Sequence, residues 1–280
     1  MKELASEHTV RDLCAAFEVS PSGYYAWASR LPGPRAQANA RLAEHIQEVY
    51  EQHHQNYGSP RVTNQLRQQG HRCTRKRVER LMRQQGLRAR QQKRFKVITT
   101  DSQHDQPIAP NRVKDIQVTA PNQVWVADIT YVPTTEGWLY VAGVLDLFSR
   151  KLIGWAMEGH LETSLTLNAL QMAIQQRRPG AGLIHHSDRG VQYASADFRQ
   201  RLQDHGLQAS MSRKACCYDN ATMESFWSSL KNELVHRCAY ETRAQARQSI
   251  FEWIEVYYNR VRLHSSLDYK SPVDFENQLN

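Results

Sequence analysis

No stretch of this 280-residue sequence approaches the ~20 consecutive apolar residues of a membrane-spanning helix. The opening Met1-Lys2-Glu3-Leu4-Ala5-Ser6-Glu7 also lacks the apolar core of a secretory leader. A cytoplasmic protein with no membrane partner is expected. Cysteine is scarce and unpatterned: Cys14, Cys73, Cys216, Cys217 and Cys238 are odd in number and have no paired zinc or disulfide spacing, so they read as reduced bystanders. Acidic residues are nearly missing from one segment. Between Arg61 and Lys96 there are thirteen Lys or Arg and a single acid, Glu79, a charge of +12 in a chain whose total is +8. The remainder is therefore −4. A positive patch this dense is the electrostatic footprint of a nucleic-acid binder, since a merely solvated basic helix usually mixes signs.

Beneath these charges the pattern is helical. Leu42, Ile46 and Val49 mark one segment, Val62 and Leu66 a second, and Val78, Leu81 and Met82 a third, with Gly70 and Thr74 between the last two. Short helices joined by a tight turn suggest a helix-turn-helix whose final helix, bearing Arg75, Lys76, Arg77, Arg80 and Arg83, enters the major groove of double-stranded DNA. An earlier unit runs from Thr9 to Phe17 and on through Ser20-Pro21-Ser22-Gly23-Tyr24-Tyr25, an N-cap with Pro at the first helical position. It is either a second DNA-contacting module or a helical hairpin that only packs. Leu31-Pro32-Gly33-Pro34 separates the two units. The expected division is a helical module over 1–35, a basic helix-turn-helix domain over 36–96, a Pro-bearing linker over 97–121, a catalytic core over 122–235 and a helical extension over 236–280.

Three carboxylates stand out in the second half. Asp128 interrupts the apolar, β-branched run Val124-Trp125-Val126-Ala127-Asp128-Ile129-Thr130-Tyr131-Val132, which reads as a central strand. Asp188 follows Leu183-Ile184-His185-His186-Ser187 and precedes Arg189-Gly190, at the mouth of a second strand where α/β folds place their chemistry. Glu224 comes after the capping-type pair Asp219-Asn220 and before Phe226, Trp227, Leu230 and Leu234 at helical spacing, hence in a first helical turn. Two carboxylates ~4 Å apart repel by ~1 kcal/mol in water and ~4 kcal/mol at an effective dielectric of ~20, so converging acids favour a hard cation such as Mg²⁺. Taken singly, an Asp at a strand end is most often a turn residue and a Glu in a first helical turn most often a solvated partner of the helix dipole. Asp146 and Asp219 are also available as ligands, and spacing alone does not choose among the acids.

Several motifs in order make the choice: His186-Ser187-Asp188-Arg189-Gly190-Val191-Gln192-Tyr193, Ser210-Met211-Ser212-Arg213-Lys214, and Cys217-Tyr218-Asp219-Asn220-Ala221-Thr222-Met223-Glu224-Ser225-Phe226-Trp227. With Lys231, Asp146-Leu147-Phe148-Ser149-Arg150 and Tyr258-Asn259-Arg260-Val261-Arg262-Leu263-His264-Ser265-Ser266-Leu267, the chain resembles the OrfB proteins of the insertion-sequence-three family of DDE transposases, relatives of retroviral integrases. The resemblance spans about 55 to 276. It implies metal ligands at Asp128, Asp188 and Glu224, a structural role for Asp146, and an α/β fold in which a ribonuclease-H-like core follows small all-α helix-turn-helix modules. The order of elements agrees: strands over Trp138–Leu147 and Lys151–Met157, a helix with Leu167, Leu170, Ala173 and Ile174 on its buried face, and a last long helix over Thr242–Tyr258. The family usually has Gly-Asn where this chain has Ala215-Cys216 and often an apolar residue at His185, departures that bear on loop conformation. The zinc module that precedes retroviral cores has no counterpart, since His53 and His54 lack cysteine partners.

The resemblance further implies a nucleoid-associated bacterial polynucleotidyl transferase using two Mg²⁺ ions, with Mn²⁺ as an alternative, on the terminal inverted repeats of an element and on target DNA. Water frees a 3′-hydroxyl and that hydroxyl attacks a second strand. Partners would be further copies of the chain on DNA and an upstream OrfA protein, separate or fused by frameshift. Lys231, two helical turns beyond Glu224, is expected on a phosphate beside the cleaved bond, with Arg189, Lys214, Arg260, Arg262 and His264 as further DNA contacts. A nuclease on the same fold that cuts without joining, and a DNA-binding regulator without turnover, are the rival readings.

Overall fold

The three apolar stripes between positions 42 and 82 close on one another as a small helical core. The computed structural model describes residues 4–90, 106–114, 116–213 and 220–279. Helices α1 (Val10–Ala16) and α2 (Pro21–Ala28) are started by Thr9 and Ser20, whose side chains accept from Asp12 N and Gly23 N. Next come α3 (Pro34–Gln52), α4 (Ser59–Gln68) and α5 (Arg75–Gln84). They bury Leu42, Ile46, Val49, Val62, Leu66, Val78, Leu81 and Met82 together. Thr74 caps α5, and Gly70 supplies the positive φ of 88° that the preceding turn requires.

Strands β1 (Val124–Thr134), β2 (Gly137–Asp146) and β3 (Leu152–Glu158) form an antiparallel meander. After α6 (Thr163–Arg177), β4 (Ile184–Ser187) returns parallel to β1. Then α7 (Val191–Ala194) and α8 (Ala196–Asp204) lead to β5 (Gln208–Met211), parallel to β4. The sheet order β3-β2-β1-β4-β5, three antiparallel strands extended by two parallel ones, is the ribonuclease-H-like arrangement. Period-two alternation sorts the sheet's side chains. Trp125, Ala127, Val144 and Ile153 bury against α6 and α8, and Val124, Val126, Val132 and Val141 face the other way. That second face is covered by α9 (Ala221–Glu233) and α10 (Arg243–Glu252). A capping box between Thr242 and Gln245 starts α10.

The single long helix expected over Thr242–Tyr258 is instead α10 followed by a π-helical turn, Trp253–Tyr258. Its wider winding turns Trp253, Ile254 and Tyr258 into the core together. Beyond it, Asn259 clamps β3 with two side-chain bonds, accepting from Leu152 N and donating to Leu152 O, both at 3.0 Å. A short α11 (Pro272–Asn277) ends the described chain. The stretch expected to be only a linker places Val113 and Val118 against the sheet core. The helix-turn-helix domain also meets the core directly. Leu263 joins its apolar cluster, Leu263 N donates to Tyr57 Oη at 2.8 Å, and Arg237 Nη1 donates to His54 O at 2.7 Å. Lys214, the Ala215-Cys216 departure, Cys217 and Asp219 lie outside the described residues.

Candidate active site

Asp128 belongs to the face of β1 that carries Val124, Val126 and Val132, the face covered by α9. β4 pairs with β1 in the register Val124 with Ile184 and Val126 with His186. Continued by two residues, that register sets Asp188 level with Asp128, one strand spacing of about 4.8 Å away. The Asp188 Oδ1 accepts from Gly190 N at 2.9 Å, which turns the chain out of the sheet. Glu224 occupies the first turn of α9 and is exposed.

The acids act on one another through their charges. Burial and the neighbouring Asp188 carboxylate push the Asp128 carboxyl well above its ordinary range, and Glu224 adds to the effect. The Ile129 backbone N–H and the Trp227 indole N–H act in the opposite sense. The Tyr193 hydroxyl is likewise pushed up by burial and then by Asp128 and Asp188. Burial lowers the Lys231 ammonium, against the attraction of Asp128, and its Nζ sits 5.2 Å from the centre of the Tyr131 ring. Among the described residues, no three His, Cys, Asp or Glu side chains are gathered into a ready-made metal cluster. The set is two neighbouring aspartates with Glu224 at their edge. Its donors are all oxygen, which suits a hard divalent cation.

Asp146 is structural. It is fully buried and accepts from Asn122 N at 2.7 Å, Phe148 N at 3.0 Å and Ser149 N at 3.0 Å, closing the turn between β2 and β3. His185 sits edge-on to Phe198 in the α8 core, and burial drops its pKa to about 3. It therefore fills an apolar position as a neutral ring.

Two expected DNA contacts are corrected. Arg262 is buried, and its guanidinium bonds Glu233 through Nε and Nη2 at 2.7–3.1 Å, so it is spent on α9 and not on a phosphate. His264 is buried edge-on to Tyr258, and burial, with Arg262 and Arg61 nearby, drops its pKa to about 2. Arg260 remains exposed, and Arg189 is half-buried with Nε donating to Ser212 O at 2.8 Å. On α5, Arg75, Lys76, Arg80 and Arg83 are exposed, while Arg77 Nε bonds Asn39 Oδ1 at 2.9 Å and so also ties α5 to α3.

Profiles of the integrase core domain match residues 118–217 and 205–272, and an HTH-like domain profile matches 37–95. The chain is 45% identical over 269 residues to the insertion element IS600 uncharacterized 31 kDa protein of Shigella sonnei, covering 96% of this chain and 98% of that one. It is 40% identical over 278 residues to transposase InsF for insertion sequence IS3A of Escherichia coli (strain K12), covering 98% and 96%. The chain belongs to the IS3 family of insertion-sequence transposases. Membership implies polynucleotidyl transfer as the general class of reaction. Among solved structures, the HTLV-2 integrase catalytic core domain in complex with magnesium aligns with a TM-score of 0.44 at 16% identity, covering 57% of this chain and 99% of that one.

Several neighbours of the acids in this transposase leave no local signal. Trp227 and Tyr193 stand inside the family motifs, but nothing in their spacing says that they face Asp128. Gly143, opposite Asp128 on β2, carried a usable signal, because an isolated Gly inside a strand marks a close approach.

Proposed function

We propose that this transposase cuts and joins DNA at Asp128, Asp188 and Glu224, which hold two divalent ions, Mg²⁺ or Mn²⁺. The observation that carries the proposal is the parallel pairing of β1 with β4 in the register Val126 with His186, just ahead of Asp128 and Asp188, together with the upward push of the Asp188 carboxylate on the Asp128 carboxyl. Glu224 completes the set from α9 when ions and DNA are present. Bound ions would activate the attacking oxygen and steady the leaving one. The protein's own share is placement: β1 and β4 hold the aspartates level, and α9 carries Glu224 and Lys231 on one side of them. Lys231, held over Tyr131, contacts the phosphate next to the scissile bond. Water attacks the phosphodiester at an element end, the P–O3′ bond breaks, and the freed 3′-hydroxyl attacks a phosphodiester of a second strand, whose own P–O3′ bond breaks and leaves a 3′-hydroxyl. The exposed cations of α5 grip the terminal repeat, and Arg189, Arg260 and Lys214 add contacts to the DNA. Two or more copies of the chain, with or without an upstream OrfA part, bring the two ends together.

The test is an incubation of the protein with labelled duplexes bearing the flanking inverted repeats, in Mg²⁺ or EDTA, resolving nicked from joined strands. Metal-dependent joining that disappears in Glu224→Gln and Asp188→Asn, with DNA binding retained, is the expected result. Nicking without joining would establish a nuclease, binding without products a regulator, and undiminished cutting by Asp188→Asn would place the site elsewhere.

A further inference from the structure

Gly143 stands directly across the β1–β2 pair from Asp128. A Cβ at this position would lie 3.1 Å from Cη2 and 3.2 Å from Cζ2 of Trp227, so the six-membered edge of the indole lies down on β2 at the level of the acid. Any larger residue at 143 would lift it. Cζ2 is bonded to the ring carbon that carries Nε1, so the N–H is delivered to the same level. Trp227 is only 5% exposed, and its Nε1 is buried without a hydrogen-bond partner. Buried donors are nearly always satisfied, so an indole N–H that acts on Asp128 without yet closing a short hydrogen bond points to an acceptor that tightens onto it. The acceptor directly across the strand pair from Gly143 is the Asp128 carboxylate. Trp227 also stands three residues beyond Glu224 on α9, so the contact ties the helix of one acid to the strand of another.

We infer that Trp227 is a positioning residue for Asp128, its indole N–H holding the carboxylate oxygen that faces away from the metal, with Gly143 required to admit the ring. The inference rests on the reading of Asp128 as a metal ligand. Groups that hold a ligand's outer atom in this way commonly govern metal affinity by about 10–100-fold. Tyr193, whose buried hydroxyl is also unpartnered, borders the aspartates from α7 and remains in place in the test, so the indole is read alone.

The experiment replaces Trp227 in the full-length chain by β-(3-benzothienyl)alanine, which keeps the ring shape and exchanges the N–H for sulfur. Trp227→Phe and Asp128→Asn are run beside it. Mn²⁺ uptake is read from the loss of the free-ion paramagnetic resonance signal, and unfolding temperature is read without metal. The sulfur isostere is expected to weaken Mn²⁺ binding by about 10–100-fold with an unchanged unfolding temperature, and Trp227→Phe to show the same loss of binding. If the isostere binds Mn²⁺ within about twofold of the unmodified chain while Asp128→Asn does not bind, the inference fails and the metal-site reading stands. If Asp128→Asn binds undiminished, or the unmodified chain takes up no Mn²⁺, the site reading falls and the inference with it.

Discussion

Replacing Glu233 by Gln should destabilise the protein by about 3–5 kcal/mol, the cost of leaving one member of a buried ion pair without its partner. Glu233 ends α9, and the Arg262 guanidinium meets it with Nε at 2.9 and 3.1 Å from its two oxygens and Nη2 at 2.7 Å. The two side chains are 10% and 6% exposed, so water cannot take over the lost contacts. Burial disfavours the Arg262 charge, but Glu233 outweighs it and keeps the guanidinium ionised above its ordinary range. In Glu233→Gln that charge stays buried among neutral groups, the new amide, Ser229 Oγ at 3.1 Å, His264 Nε2 at 3.5 Å and the Tyr258 ring, with the like charge of Arg61 nearby. At about 2–4 °C per kcal/mol for a chain somewhat smaller than this one, the melting temperature should fall by roughly 6–20 °C. Scanning calorimetry on the single variant and on Glu233→Leu/Arg262→Met measures it, and the double variant should recover most of the loss because no charge remains to be compensated. A single variant within about 1 kcal/mol of the parent, the worth of a surface pair, would refute the reasoning. A double variant as unstable as the single would assign the effect to packing.

Three further outcomes follow from the same structure. Burial lowers His53 to about 4, His185 to about 3 and His264 to about 2, so below the unfolded pKa of about 6.5 the unfolded chain binds more protons than the folded one. Stability should therefore fall as pH drops from 6.5 towards 5, by about 1.4 kcal/mol per pH unit for each histidine, and His53→Leu should flatten the slope by one proton; a pH-independent urea midpoint over this window would contradict it. Gly154→Ala would put a Cβ 2.3 Å from Ala169 O and 2.8 Å from Ala173 Cβ, forcing α6 off β3 at a cost of about 1–3 kcal/mol, to be read from the denaturation midpoint. DNA affinity should fall by about 10³–10⁵ between ~50 and ~200 mM salt if ~6–10 phosphates are contacted, with Arg75→Ala, Arg80→Ala and Arg83→Ala each reducing the slope; a flat response would remove α5 from the interface.

Local signals carried much of the architecture. The apolar stripes at 42–82, the Thr74 and Thr242 caps, the β-branched run around Asp128 and the turn at Phe148-Ser149-Arg150 each express a preference settled within a few residues. The π turn at Trp253–Tyr258 was not legible, because its winding is set by which side chains the core admits and not by periodicity. The direct seating of the helix-turn-helix domain on the core was equally hidden, since Tyr57 and Leu263 are far apart in the chain and meet only when both units have folded.

The same division runs through the site. Local pattern was enough to nominate the acids, because an Asp inside an apolar strand, an Asp at a strand mouth and a Glu in a first helical turn sit in settings that neighbours along the chain define. It also determined the basic character of α5, since charge density needs no fold to be read. Where the other polar residues end up depends on packing across the whole fold. Arg262 and His264 look like DNA contacts in a basic, exposed-looking tail, yet packing buries them against Glu233 and Tyr258. Trp227 and Gly143 look like ordinary core, yet strand register and the lie of α9 bring them to Asp128. Charge and periodicity are properties of neighbours along the chain, whereas burial and partnership are properties of neighbours in space.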